Sequence, residues 1–284
     1  MQQQKGFTLI EIMIAGIIGA FILTGLINLF ITVNRTIILS DAMGRNQDSG
    51  RFAMEYMTEY VRQAGYSEDE TNNIPPVFIT LNNGSIDCTD EAQAVACAEN
   101  NPDDPDILGD RLSVPYSVGG DADDETRACT GTRVGGPANG PQNLASVFWV
   151  SGEADTIREL RCRTFNRDTN LWLDNPVSII NNVEKFEFQV GIANDPDEKD
   201  TARYISIDTL EDNAALTVEN IRSIRIALLT TSQDTLDDNL VNTSVRERQY
   251  NVLDAPTYTI TDGNLRNIFI NTVELPNMIG GAGL

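Results

Sequence analysis

The chain has 284 residues, 41% of them hydrophobic, and sets 20 basic side chains against 42 acidic ones, a net charge of −22. Such an acidic surface repels phosphate backbones and argues against a nucleic-acid partner. Histidine is absent altogether, which excludes Ser-His-Asp and Cys-His nucleophile systems, His-ligated zinc and any imidazole base or pH switch. Low aromatic content (7%) with plentiful Gly, Asn and Asp points to loop-rich β structure rather than a helical bundle.

From Ile12 to Asn34 there is no charged residue, and about 20 apolar residues suffice to cross a bilayer. The stretch is longer than the apolar core of a secretory signal. It is followed by Arg35-Thr36-Ile37-Ile38 rather than by a small-residue cleavage site. Lys5 ahead of it favours a cytoplasmic N-terminus. Glu11 stands at the start of the run, where a carboxylate is costly unless paired. Just before it, Lys5-Gly6-Phe7-Thr8-Leu9-Ile10-Glu11 resembles the type III signal of type IV pilins and of the related type II secretion pseudopilins. The resemblance implies that a prepilin peptidase cuts between Gly6 and Phe7 and that Phe7 is N-methylated. It further implies that Glu11 neutralises the new amine of a neighbouring subunit, while the apolar segment stays as filament core. Gly16, Gly19, Ala20 and Gly25 allow close backbone approach in such packing.

The helical pattern continues past the membrane. Leu39, Met43, Ala53, Tyr56, Met57, Tyr60, Val61 and Ala64 keep i, i+3/i+4/i+7 spacing, predicting a helix from Phe7 to about Gln63 with Gly65 ending it. Its aromatic and Met residues are expected in a core. Residues 67–126 hold 15 acidic residues and one basic residue, Arg111, and read as an irregular excursion with a short strand at Val77–Leu81. Period-2 alternation then predicts a hairpin from Ser146–Val150 and Thr156–Arg163, and strands with one wet face at Phe186–Ile192 and Ile224–Leu228. A further strand is expected within Asp254–Ile260, and a short helix over Leu265–Thr272.

Four blocks extend the resemblance. Arg51-Phe52-Ala53-Met54-Glu55-Tyr56-Met57 with Arg62-Gln63-Ala64-Gly65-Tyr66, and Ile180 to Ile192, are similar to segments of PilW-type minor pilins. So are Ile221 to Ser232 and Asn264 to Leu275. The acidic middle has no counterpart in the resemblance, and Glu274-Leu275-Pro276-Asn277 departs from the family's basic ending. The family implies an α+β type IV pilin fold, a long N-terminal helix packed on a C-terminal antiparallel sheet domain with long loops. The expected divisions are a leader (1–6), a membrane and filament-core helix (7–34), its amphipathic second half (35–65), the acidic excursion (66–142) and a β-rich domain (143–284). The implied role is a structural minor pilin that primes type IV pilus assembly at or near the tip. Its implied partners are other minor pilins, the major pilin, prepilin peptidase, the inner-membrane assembly platform and a large tip adhesin. Before assembly the chain is expected in the inner membrane with its bulk in the periplasm, and afterwards at the pilus tip. A J-type pseudopilin of type II secretion and a ligand-binding tip adhesin are the alternatives.

Cys88, Cys97, Cys129 and Cys162 all lie beyond the membrane segment, and an even count in a periplasmic domain implies disulfides. Of the three connectivities, Cys88–Cys97 suits a local loop, leaving Cys129–Cys162 to tie the excursion to the first hairpin. Without a C-x-x-C, zinc and thioredoxin-like chemistry lack support. Asp195, Asp197 and Asp200 are weak calcium candidates without EF-hand spacing. No catalytic constellation is visible, so no enzyme activity and no cofactor are expected.

Overall fold

The computed structural model describes residues 8–67, 74–77, 96–100, 107–121, 124–152, 157–213, 215–232, 247–261 and 264–279. Helix α1, Leu9–Val61, runs unbroken for 53 residues, roughly 80 Å at 1.5 Å per residue. Its first buried residue is Ala42; the apolar side chains before it, from Leu9 to Leu39, are exposed. By length and composition this half can cross a membrane. From Ala42 onward, Asn46, Gly50, Ala53, Met54, Met57, Tyr60 and Val61 are buried, a spacing that turns one face of the helix toward the protein. The helix proper stops at Val61, and residues 62–65 form a turn in which Gly65 adopts φ 72 and donates to the carbonyl of Pro115. The expected glycine therefore ends the turn and ties it to a strand.

That strand is β1, Leu112–Val118, buried at all seven positions. It pairs with β2 (Gln142–Val150), which pairs with β3 (Glu159–Asn166); β4 (Leu171–Trp172) and β5 (Val177–Asn181) both pair with β3. The expected hairpin is β2–β3, with Val150 opposite Leu160. Strand β1 was not expected. Pro115 and the acidic surroundings hide it, yet proline is tolerated because β1 is the edge of its sheet. Of the strand expected at Val77–Leu81, Val77 is a buried bend and the rest lies outside the described residues.

The second sheet has the order β11-β8-β6-β7: Arg266–Glu274, Ile221–Thr231, Val183–Ile192 and Arg203–Ile205, all antiparallel. A separate pair, β9 (Arg248–Tyr250) and β10 (Tyr258–Ile260), supplies the strand expected in Asp254–Ile260. Short helices α2 (Ile207–Asp212) and α3 (Pro276–Ile279) cap loops. The helix expected over Leu265–Thr272 is instead strand β11. Its apolar residues also satisfy an i, i+3/i+4/i+7 pattern, but Ile268, Ile270, Thr272 and Val273 are β-branched and favour the pleat, and pairing along β8 decides it. The wet face expected on β6 and β8 is also largely covered. Ala227 and Leu229 pack under Val252, Tyr250, Leu253 and Tyr258, and Glu187 is 2% exposed.

One core unites the three layers. Met57 and Val61 of α1, Leu112, Val114, Phe148 and Leu160 of the first sheet, and Phe186, Phe188, Ile224, Ile226, Leu228 and Val273 of the second form a single buried cluster. Against β11 the helix comes so close that a Cβ on Gly50 would lie 2.2 Å from the Phe269 ring. Gly44, one and a half turns earlier, faces open space. Alanine is favoured over glycine inside a helix by about 1 kcal/mol, so the two sites are expected to respond with opposite signs. Gly44→Ala should raise stability slightly, whereas Gly50→Ala should lower it by about 1–3 kcal/mol through overpacking, as read by denaturant unfolding of the detergent-solubilised chain.

Candidate functional site

The N-terminal end of α1 is a built arrangement. Thr8 is its N-cap in extended conformation, and its hydroxyl accepts from the Glu11 backbone N–H at 3.4 Å. In return the Glu11 Oε2 accepts from the Thr8 backbone N–H at 3.2 Å and from the Thr8 hydroxyl at 3.1 Å. This capping box satisfies two otherwise orphaned groups and holds the carboxylate at the positive end of the helix dipole. Glu11 is thereby directed toward the N-terminal end, where it can meet a cation. Gly6 and Phe7, the expected cleavage and methylation residues, lie outside the described residues. Thr8 carries a sequence signal of its own, since T-x-x-E before an apolar run is a capping-box signature.

The two halves of the expected cysteine pairing fare differently. Cys97 is disulfide-bonded, and Cys88, its expected partner, lies outside the described residues. Cys129 and Cys162 are free, buried thiols, which corrects the expectation of a second disulfide. The Cys162 thiol donates to the Cys129 carbonyl at 2.9 Å, and Cys129 Sγ lies 3.9 Å from the Thr164 hydroxyl. Hydrogen bonding to Cys129, followed by burial, pushes the Cys162 thiol well above its ordinary range, so it stays protonated and unreactive. Cysteine parity carries no information about this local geometry. The same carbonyl also accepts from the Tyr56 hydroxyl, and Tyr60 donates to the Ala128 carbonyl at 3.3 Å. The loop is thus moored to α1 by tyrosines. Alkylation of the denatured, unreduced protein is expected to label Cys129 and Cys162 and to leave Cys97 protected until reductant is added; peptide mass mapping reads the result.

The weak calcium candidates lie in the loop after β6. Asp195 accepts from the Asp197 backbone N–H at 3.0 Å in a local turn, while Asp197 and Asp200 are exposed. No cluster of three or more metal-ligating side chains occurs among the described residues. The loop is held instead by Arg222, 3% exposed, which donates through Nε to the Glu198 carbonyl at 2.6 Å and through its terminal nitrogens to the carbonyls of Pro196, Glu219 and Ile221. The sequence signal of Arg222 was weak: it is one of two arginines, with Arg225, in a largely apolar strand block.

A second acidic group gathers around α2. Burial, then the neighbouring charges of Asp208, Glu99 and Asp212, raise the Glu211 carboxyl to about 7. A raised acid binds its proton more tightly when folded than when unfolded, so its favourable contribution is full below about pH 4.5 and is lost as pH rises through about 7. Glu211→Gln is therefore expected to stabilise the protein at pH 8 and to change little at pH 4, as followed by thermal unfolding at the two pH values.

Known proteins offer the following comparisons. Residues 147–277 match the family described as type IV pilus-assembly protein W, and residues 1–27 match the prokaryotic N-terminal methylation motif. No curated protein matches. Among solved structures, a type IV-like pilin from Thermus thermophilus is similar at 14% identity, over 60% of this chain and 79% of that chain, with a TM-score of 0.32.

Proposed function

The chain belongs to the PilW-type minor pilins of type IV pili, and from that premise we propose that it is a low-abundance structural subunit that primes pilus assembly and sits at or near the tip. It is a membrane-anchored pilin whose family is structural rather than enzymatic. One observation carries the proposal: a single helix projects an entirely exposed apolar half from a large domain that buries only the other half. The exposed half is suited first to lipid and then to the cores of neighbouring subunits. The bulk of the domain fits poorly at every position of a tightly packed helical lattice but fits where no subunit sits above it.

In this reading prepilin peptidase cuts between Gly6 and Phe7, Phe7 is N-methylated, and the domain lies in the periplasm until the chain is extracted. Glu11, already aimed at the helix start by Thr8, neutralises the Phe7 amine of an adjacent subunit, where both would otherwise be unpaired charges in hydrocarbon. The partners are other minor pilins, the major pilin, the assembly platform and a large tip adhesin. The PilW match favours a pilus over a type II secretion pseudopilus. A strain lacking the gene is expected to lose most of its surface pili and to regain them with the wild-type gene. Glu11→Ala is expected to be made and cleaved normally but to co-purify with other pilins several-fold less. Normal piliation of the deletion strain would refute the priming role, and normal co-purification of the variant would refute the role of Glu11.

A further inference from the structure

Within the exposed apolar half of α1, Thr24, Asn28 and Thr32 follow one another at four-residue intervals and so share a side of the helix. The hydroxyls are satisfied inside their own helix. Thr24 donates to the Ala20 carbonyl at 2.9 Å, Thr32 to the Asn28 carbonyl at 2.9 Å and Thr36 to the Thr32 carbonyl at 3.0 Å. The Asn28 side chain differs. An amide offers two N–H donors and an acceptor, and no hydrogen bond to this one occurs among the described residues.

Depth makes this consequential. Leu23 stands at the middle of the uncharged run from Ile12 to Asn34, which places Asn28 roughly 7 Å from the mid-plane at 1.5 Å per residue. In a hydrocarbon layer about 30 Å thick, the short Asn28 side chain cannot reach the headgroups, unlike Asn34 beside Arg35. An amide without a partner is unfavourable there. Gly25, one turn earlier, has open space where a Cβ would stand, so a second helix can approach the amide closely.

Resting on the membrane-anchored pilin reading, we propose that Asn28 is an interhelical contact residue. Its amide hydrogen-bonds, within the membrane, to a polar side chain at the same depth on the transmembrane helix of a different pilin subunit. That bond sets the axial register in which the two helices enter the filament. A second copy of this chain is the wrong occupant, because two chains of net charge −22 repel when held side by side. The fitting partner is a pilin-type helix beneath a less acidic domain.

The test uses the full chain in its own cells with a photo-reactive phenylalanine analogue at Ile31, one turn from Asn28. The expected result is one discrete adduct with another pilin subunit. Asn28→Leu should lower its yield about fivefold, the order expected for one interhelical hydrogen bond in a membrane, and Asn28→Gln should retain it. Leucine makes the segment more apolar, so insertion survives the change. An unchanged yield with Asn28→Leu, an adduct between two copies of the chain, or no adduct from the wild type overturns this inference alone. Absence of the chain from carbonate-washed membranes overturns it together with the reading beneath it.

Discussion

A single uninterrupted helix has to satisfy two different surroundings along its length, and the rest of the molecule is arranged around that demand. From Leu9 to Leu39 its apolar side chains are exposed on every side, which is stable only in lipid or among similar helices. From Ala42 to Val61 only one face is apolar and buried, which requires a matching surface on the protein. Strands β8 and β11 provide it. Phe269 seats against Gly50, and Asn271 donates to the Thr58 hydroxyl at 2.8 Å. Continuity of the helix carries the position of the sheet domain down to the membrane segment, because no proline interrupts the backbone ladder.

Net acidity shapes the domain in a second way. With 42 acidic and 20 basic side chains, cations are scarce, and several are spent inside rather than on the surface. Arg266 forms a two-pronged pair with Glu184 at 2.6 and 2.7 Å, both side chains under 10% exposed. Arg111 bridges the Cys97 carbonyl and Glu99, Lys185 pairs with Glu187 at 2.7 Å, and Arg222 gathers loop carbonyls. Removing one member of such a buried pair leaves an uncompensated charge and costs about 3–5 kcal/mol. Glu184 and Arg266 are distant in sequence, and their pair links β6 to the edge strand β11.

A pilin-type subunit lives in two states, dispersed in the membrane and packed in a filament, and the features of α1 relate to both. The Thr8–Glu11 capping box keeps the carboxylate hydrogen-bonded before a neighbour arrives. It also keeps the carboxylate at the positive end of the helix dipole. The threonines of the apolar half return their hydroxyls to their own helix and are self-sufficient in either state. Asn28 has no such internal outlet.

The membrane segment, the N-terminal motif, the amphipathic second half of α1, the β2–β3 hairpin and the strands of the second sheet around β6 and β8 were all legible in the sequence. Each is a local pattern of side chains repeating at a fixed period, and local hydropathy determines it. What only the tertiary structure decided depends on partners distant in the chain. Strand β1 exists despite Pro115 because it sits at a sheet edge. Residues 266–274 became a strand because β8 offers a ladder, where their own spacing allowed a helix as well. Arg222 came to hold the acidic loop because folding brings β8 beside residues 196–198. Cys129 and Cys162 stayed thiols in hydrogen-bonding contact, an outcome that counting cysteines cannot reach, because bonding depends on side-chain geometry and not on number.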